Sequence, residues 1–257
     1  MNADVVFADS TEDAVHRLAT AAGAAPLAGG TWIMRAPLRG DAHPPLYVSL
    51  DRIAELREIA LAGDELRVGA GATHAALAAA LEGEPRLRGL HEAAARSANP
   101  AVRARATVGG ALATADFPAS DLVPALIALD ATVVVATAAG TRDVAIEEFL
   151  AARDGLVVGV RAALPRRSAH ARLTLRAAGD YPVAIASVAE REDGLRVAIG
   201  SVETTPRRWR TVETQDPVAA ARSNAAELTP RDGVEAPGWY RVQVLPALLT
   251  RALEAMA

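Results

Sequence analysis

Short apolar runs and amphipathic stretches alternate along the first part of the chain, a pattern that predicts strands and helices in turn. The short apolar segments Val5–Phe7 and Pro26–Ala28 predict strands, and Leu46–Leu50 is typical of a buried strand. After the first of them, Ser10 and the acidic residues that follow it predict the start of a helix, and Gly23 predicts its end. The start of the chain therefore has the strand and helix order of a small α/β unit.

A hairpin and a helix are predicted next. The runs Leu56–Ala60 and Glu65–Gly69 flank a glycine-containing turn and predict two paired strands. The segment Gly69–His74 has two glycines but lacks the third glycine of a dinucleotide fingerprint, so we interpret it as a strand end followed by a helix cap. Thr73 is a suitable N-cap for the alanine-rich helix after it. The β-branched run Ala131–Ala136 predicts another strand.

The pattern changes near residue 165, from alternating strands and helices to strands that predict antiparallel pairing. These strands are His170–Arg176, Val183–Glu190 and Leu195–Ser201, and an amphipathic segment, Val242–Met256, ends the chain. We therefore predict an α+β fold with two units. The first spans residues 1–164, with subdomains at about 1–50 and 51–164, and the second spans 165–257.

Composition excludes several classes of function. The formal net charge of −4 gives no general attraction to nucleic acid. Cysteine is absent, so the chain holds no iron–sulfur cluster or thiolate zinc site of its own, and the histidines lack the spacing of metal ligands, so we expect no metal site. No apolar run approaches the length of a membrane span and no signal segment is evident, so we expect a cytoplasmic protein that does not enter membranes.

Two Gly-Gly turns are the main chemical signal in the sequence, and each follows a short apolar run that predicts a strand. They are Ala28-Gly29-Gly30-Thr31 and Thr107-Val108-Gly109-Gly110. Glycine lets backbone amides approach an anion, and the neighbouring threonines add hydroxyl donors, so the two turns predict a clamp for a pyrophosphate. Asp116 and Asp121 follow the second turn, and a carboxylate there would accept hydrogen bonds from ribose hydroxyls.

These motifs resemble a known family. Arg103–Ala113, continuing through Asp116–Pro124, is similar to the second FAD-binding segment of the medium subunit of molybdenum hydroxylases, the group of carbon monoxide dehydrogenase and xanthine dehydrogenase. Ala28–Thr31 resembles the first FAD loop of this family. Ala178–Pro182 and Gly200–Val202 resemble its C-terminal flavoprotein domain.

The resemblance implies two α/β FAD-binding subdomains of the PCMH type, followed by a C-terminal domain with a small antiparallel sheet and helices. It implies non-covalent FAD, with the pyrophosphate on the backbone amides of both turns, the adenosine ribose on Asp121 and the isoalloxazine ring beside Tyr181. The binding residues carried over in this way are Ala28, Gly29, Gly30, Thr31, Thr107, Gly109, Gly110, Asp121 and Tyr181. It also implies partners, a molybdopterin large subunit and a [2Fe–2S] small subunit, from which electrons pass through the flavin to an external acceptor.

Other interpretations of the same residues stay open at this stage. Asp121 would face solvent if it had no ligand role, Asp116 would cap a helix, and Tyr181 would be an ordinary aromatic of an edge strand. Arg103 and Arg105 would be either a solvated pair or a counter-charge for phosphate. The histidines are assigned to the surface or to helix caps.

Two other functions also remain open. One is a freestanding FAD-dependent oxidoreductase or oxygenase that acts on a small organic substrate in a biosynthetic pathway. The other is a non-catalytic subunit that has lost tight FAD binding, which the alanines at Ala104 and Ala111 favour because the family often has asparagine at both positions.

Overall fold

Parallel pairing organises the start of the chain in the computed structural model, which describes residues 3–115, 117–176 and 180–257. Its elements are β1 Asp4–Phe7, α1 Thr11–Thr20, β2 Ala25–Leu27, α2 Ala36–Arg39 and β3 Leu46–Ser49. The strand order is β1-β3-β2, with both pairs parallel. Helix α1 begins where predicted, because the side chain of Ser10 accepts a hydrogen bond from the amide of Asp13 and so caps its first turn.

A five-stranded sheet with helices packed against it forms the next unit. Its strands are β4 Ile59–Ala62, β5 Glu65–Gly69, β6 Thr132–Thr137, β7 Gly140–Ala145 and β8 Leu156–Ala163. Its helices are α3 His74–Ala80, α4 Arg88–Arg96, α5 Pro100–Arg103, α6 Val108–Ala113, α7 Leu122–Ala128 and α8 Ile146–Ala152. The strand order is β4-β5-β8-β6-β7, and every neighbouring pair is antiparallel.

The sequence predicted alternating strands and helices up to residue 165 and antiparallel strands only after it, and this sheet contradicts that prediction. The predicted hairpin is confirmed as β4 and β5, but antiparallel pairing begins there and not in the last third of the chain. The physical reason is the length of the connections. Strands joined by tight turns, such as β6 and β7, must pair antiparallel, because a parallel pair needs a long crossover.

A four-stranded antiparallel sheet follows, as the sequence predicts. Its elements are β9 Arg167–Leu173, β10 Ala184–Arg191, β11 Gly194–Gly200, β12 Arg207–Arg208, α9 Pro217–Ser223, α10 Gly238–Gln243 and α11 Leu245–Met256. The strand order is β12-β11-β10-β9. The change of sheet falls between β8 and β9, while the division of the chain into separate folding units near residue 165 stays a prediction. The predicted terminal amphipathic segment divides into α10 and α11 at Val244.

Helix α7 joins the second and third units of the fold. Its residues are apolar on every side and all are buried, because the helix contacts α4 on one side and β10 and β11 on the other. The main hydrophobic core accordingly extends from the five-stranded sheet to Ala189 and Ala198 of the next sheet. Asp121, the residue before α7, thus lies where the two sheets approach each other. Within the described ranges, no helix combines the length and the apolar character needed to cross a membrane.

Candidate functional site

One cavity of about 1110 Å³ lies between the three units, a volume at the upper end for ligand pockets. All nine residues that the sequence predicts to bind a cofactor line it, and they come from distant parts of the chain. They are Ala28, Gly29, Gly30, Thr31, Thr107, Gly109, Gly110, Asp121 and Tyr181. Asp116, the other predicted carboxylate, lies outside the described residues, as do Ala178 and Gly179 of the C-terminal motif.

The first Gly-Gly turn lines this cavity and contains backbone amides without a partner in the part of the chain that the structure describes. Gly30 has a φ of +72°, a conformation that glycine adopts without steric cost. Gly29 packs on the backbone of Arg105, and an ideal β-carbon on it would lie 1.8 Å from the Arg105 carbonyl oxygen. Among the described residues, the amides of Gly29, Gly30 and Thr31 donate to no protein acceptor. Three adjacent free amides are suited to an anion.

The second Gly-Gly turn is held mainly by contacts within the protein. It follows helix α5 and not the strand that the sequence predicted, because Asn99 caps a helix there by accepting a hydrogen bond from the Val102 amide. Thr107 caps α6 by accepting, through Oγ1, a hydrogen bond of 3.1 Å from the Gly110 amide. The Gly109 amide donates to the carbonyl of Ala70 over 2.8 Å, and a β-carbon on Gly109 would lie 2.7 Å from the β-carbon of Ala70. The amides of Gly109 and Gly110, which the sequence analysis expected to face a pyrophosphate, are therefore engaged. The Thr107 hydroxyl keeps a proton to donate, because its contact with Gly110 uses only the oxygen lone pair.

Asp121 is buried in the cavity wall and belongs to a polar cluster. Its Oδ1 atom lies 3.2 Å from Nε2 of His170 and 3.3 Å from Nε of Arg172. The side chain neither caps α7 nor faces solvent, since it makes no capping hydrogen bond and only 3% of it is exposed. Both contacts fall on Oδ1, and Oδ2 makes no hydrogen bond to any residue that the structure describes. One oxygen of Asp121 is therefore left for a ligand.

The placement of His170 corrects the assignment of the histidines to the surface or to caps. His170 lies in the middle of β9, is buried and shares a hydrogen bond of 2.9 Å with Ser187 through Nδ1. Arg172 follows two residues later on the same strand. Because side chains alternate along a strand, both point to the face on which Asp121 lies. The sequence of β9 contains these polar residues but does not indicate which residue of a distant segment they contact.

His74 is also buried, although it does lie next to a helix cap, as the first residue of α3 after Thr73. Its Nδ1 atom lies 2.6 Å from the Ser97 hydroxyl, and among the described residues Nε2 has no hydrogen-bond partner. Burial lowers the pKa of His74 from 6.5 to about 4, and the negative charge of Asp121 opposes part of this effect. His74 is therefore a neutral imidazole in the cavity wall at neutral pH.

Part of the cavity wall is aromatic. The ring of Tyr181 packs edge-on against Phe117 with centroids 5.3 Å apart, and Phe117 packs against Trp32 at 4.9 Å. Arg35 donates a hydrogen bond to the Tyr181 hydroxyl. Tyr181 thus belongs to an aromatic cluster formed by three segments. The sequence analysis missed Trp32 and Phe117, although each lies shortly after one of the two Gly-Gly turns.

The two arginines before the second turn lie away from this cavity. Arg105 is exposed and its Nη2 lies 3.9 Å from Asp51, while Arg103 donates to the carbonyl of Ala98. Neither is among the residues that line the cavity. Of the two interpretations left open above, the geometry therefore favours partners within the protein over a counter-charge for phosphate.

The cavity residues offer a suitable partner for each chemical group of FAD. Free amides at the first turn suit a pyrophosphate, the free oxygen of Asp121 suits a hydroxyl group, and the aromatic cluster suits a flat ring. The tight contact of Gly29 with Arg105 also shows that the segments of the two turns pack directly against each other beside the cavity.

Comparisons with known proteins agree with this fit. Residues 1–160 match the family described as the FAD binding domain in molybdopterin dehydrogenase. The chain is 31% identical to the alpha subunit of the 6-hydroxypseudooxynicotine dehydrogenase complex of Paenarthrobacter nicotinovorans, over 97% of this chain and 93% of the relative. It is 24% identical to the medium chain of glyceraldehyde dehydrogenase from Sulfolobus acidocaldarius, over 98% and 97% of the two chains.

A solved structure also matches this chain over the whole fold. A chain of carbon monoxide dehydrogenase from Hydrogenophaga pseudoflava, in a form that lacks the Mo-pyranopterin moiety of its cofactor, superposes with a TM-score of 0.89. The two sequences are 28% identical, and the match covers 100% of this chain and 97% of the other. The α+β fold class predicted from the sequence is confirmed by this match.

Proposed function

Because this chain belongs to the family of FAD binding domains in molybdopterin dehydrogenases, we propose that it is the FAD-carrying subunit of a molybdenum hydroxylase complex. In this role it is an oxidoreductase subunit that passes electrons from its partners to an external acceptor. The observation that carries the proposal is the single cavity in which both glycine turns, Asp121 and Tyr181 meet.

Each part of the cavity has a proposed task in holding FAD. The free amides of Gly29, Gly30 and Thr31 hold the pyrophosphate, and the Thr107 hydroxyl donates a further hydrogen bond. Oδ2 of Asp121 accepts a hydrogen bond from the adenosine ribose. Ala28, Gly109 and Gly110 form the walls of the cavity and admit the cofactor because they are small.

Tyr181 acts at the other end, where it lies beside the isoalloxazine ring and limits access of water to it. Bound FAD supplies the redox chemistry, accepting and releasing electrons one or two at a time. The protein supplies position and exclusion of solvent. No acid–base pair in the cavity is needed for electron transfer, and His74, neutral at physiological pH, leaves the cavity wall uncharged at that point.

The proposed partners are a molybdopterin large subunit and a [2Fe–2S] small subunit. The support is the family and the two relatives, one named as the subunit of a complex and the other as a medium chain. A chain without cysteine carries no iron–sulfur cluster of its own, so the clusters that deliver electrons belong to a partner. We propose a cytoplasmic location for the complex, which cell fractionation would test.

Purification of the tagged chain from its natural host tests this proposal. We expect a yellow protein whose flavin is released by acid precipitation and identified as FAD by chromatography. We also expect molybdenum and iron in the same fraction, on two co-purifying polypeptides. A yellow chain that stays alone and oxidises a small substrate would instead support the freestanding flavoenzyme. Failure to bind FAD after reconstitution would overturn the proposed function.

A further inference from the structure

Arg172 lines the cavity and contacts both Asp121 and the segment that carries Tyr181. It lies in β9, and its guanidinium is largely buried, with 13% of the side chain exposed. Its Nε lies 3.3 Å from Oδ1 of Asp121, and its Nη2 donates a hydrogen bond of 3.0 Å to the backbone carbonyl of Asp180. Its Nη1 donates to the carbonyl of Arg96, at the end of α4. One side chain therefore contacts three segments that are distant in sequence.

Asp180 immediately precedes Tyr181, so the bond from Arg172 fixes the backbone on which the Tyr181 ring is carried. The ring itself is held from other directions, by Phe117 and by the hydrogen bond from Arg35. Of these contacts, the one from Arg172 is the link to Asp121, because Asp121 contacts the same guanidinium. A largely buried guanidinium needs a carboxylate nearby, and Asp121 supplies it as an ion pair, since Nε makes no hydrogen bond among the described residues. The planar fork of the guanidinium fixes the direction of the two hydrogen bonds that Nη1 and Nη2 donate.

We propose that Arg172 is the positioning residue that sets Tyr181 against the flavin ring, by joining the carboxylate of Asp121 to the backbone carbonyl of Asp180. The inference rests on the proposed function, since it assumes that the cavity binds FAD. In this role Arg172 influences the environment of the flavin ring but does not contact the ring.

The variant Arg172→Lys separates positioning from charge. Lysine keeps a positive charge for Asp121, but a single ammonium group does not reproduce a fork that reaches Asp121 and Asp180 together. We expect the variant to bind ADP, which lacks the flavin, within about threefold of the wild-type Kd. We expect FAD to bind up to about tenfold more weakly, with a displaced visible absorption maximum and a changed flavin midpoint potential.

Combination with Tyr181→Ala tests whether Arg172 acts through Tyr181. If it does, adding Arg172→Lys to Tyr181→Ala produces little further change in the spectrum or the potential. The matched control is Arg167→Lys, because Arg167 also lies on β9 and pairs with a carboxylate, that of Glu190, but is 49% exposed and is not among the residues that line the cavity. This control should leave the spectrum, the potential and both dissociation constants unchanged.

Three results would overturn the proposal. An unchanged spectrum and potential in Arg172→Lys would show that Tyr181 is positioned without Arg172. An equal shift in the wild-type and Tyr181→Ala backgrounds would show that Arg172 acts independently of Tyr181. If the wild-type chain binds no FAD, the proposed function fails and the role of Arg172 fails with it, whereas the first two results leave the proposed function standing.

Discussion

Gly29 packs so closely on Arg105 that an ideal β-carbon at position 29 would lie 1.8 Å from the Arg105 carbonyl oxygen and 2.6 Å from its carbonyl carbon. The atoms it would meet belong to the backbone, which cannot rotate away as the end of a side chain can. Arg105 lies just before the second Gly-Gly turn. The glycine at position 29 therefore sets how closely the two turns approach each other.

We expect Gly29→Ala to separate the two turns and to lower the stability of the FAD-free protein by about 3 kcal/mol, as overpacking does in other cores. For a chain of this size, the melting temperature should fall by roughly 6–12 °C. The FAD content after purification should fall as well, because the free amides of the first turn move. Differential scanning calorimetry and the ratio of flavin to protein absorbance measure the two effects.

Gly110→Ala is the matched control for this prediction. A β-carbon on Gly110 would meet only Oγ1 of Thr107, at 3.0 Å, and that side chain can adjust. We expect a loss of no more than about 1 kcal/mol in the free energy of unfolding. Equal losses of stability in the two alanine variants would show that the contact between Gly29 and Arg105 has no special role.

The hydrophobic pattern predicted the parts of the fold in which each strand has an apolar side. The first parallel sheet and the hairpin of β4 and β5 are of this kind. Strand β7 was missed because five of its six residues are exposed and its polar sequence has no period of two with an apolar face. Without β7, the segment after β6 gave no indication that the five-stranded sheet is antiparallel.

The residues of the candidate site were also predictable from the sequence only in part. Glycine turns are local motifs that a sequence reveals, and together with the family resemblance they predicted the nine cavity residues. The sequence does not show which amides of these turns are free. The contacts of Asp121 with His170 and Arg172 join residues about fifty positions apart in the chain, on different elements. Such pairs follow from the packing of α7 against the sheet that contains β9, through β10 and β11, which a single sequence does not reveal.

Asp121→Asn should destabilise the protein even without FAD. The change removes the negative charge that faces the buried guanidinium of Arg172, and an unpaired buried charge costs about 3 kcal/mol or more. Urea unfolding of the FAD-free protein measures this loss, and titration with FAD measures the additional loss of affinity. A residue that only contacted ribose would change FAD affinity and leave the free protein as stable as before.

The control for this prediction is Asp51→Asn. Asp51 lies 3.9 Å from Arg105, but both side chains are about half exposed, and exposed ion pairs contribute only about 0–1 kcal/mol. If Asp51→Asn and Asp121→Asn were to reduce the free energy of unfolding equally, the cluster around Asp121 would not be the stabilising pair that its burial indicates.

Tyr181 should affect the reactivity of FAD more than its binding. Tyr181→Phe removes the hydrogen bond from Arg35 and keeps the packing on Phe117, whereas Tyr181→Ala removes both. An aromatic pair contributes about 1 kcal/mol, so the Kd for FAD should rise by less than about tenfold in either variant. The visible spectrum and the rate of flavin reduction should change more in the alanine variant. Unchanged spectra and rates in Tyr181→Ala would place the ring elsewhere.

The buried imidazole of His74 predicts a specific loss of stability in acid. Its pKa is lowered from 6.5 to about 4 by burial, so between these values the unfolded chain binds a proton that the folded chain does not. Stability therefore rises with pH through this window and is lost as the pH falls from about 6.5 towards 4. The full difference of about 2.5 pKa units corresponds to about 3 kcal/mol.

The variant His74→Asn isolates this contribution, because asparagine keeps a polar group near the Ser97 hydroxyl but does not titrate. The free energy of unfolding is measured by urea titration of both proteins at several values between pH 8 and pH 4.5, so that the titrations of all other groups cancel in the difference. Above pH 7 the difference should be constant. Below pH 6.5 the wild type should lose stability faster than the variant, with a relative loss approaching about 3 kcal/mol near pH 4. A difference that stays constant down to pH 4.5 would mean that His74 accepts a proton in the folded protein as readily as in the unfolded chain, which its burial argues against.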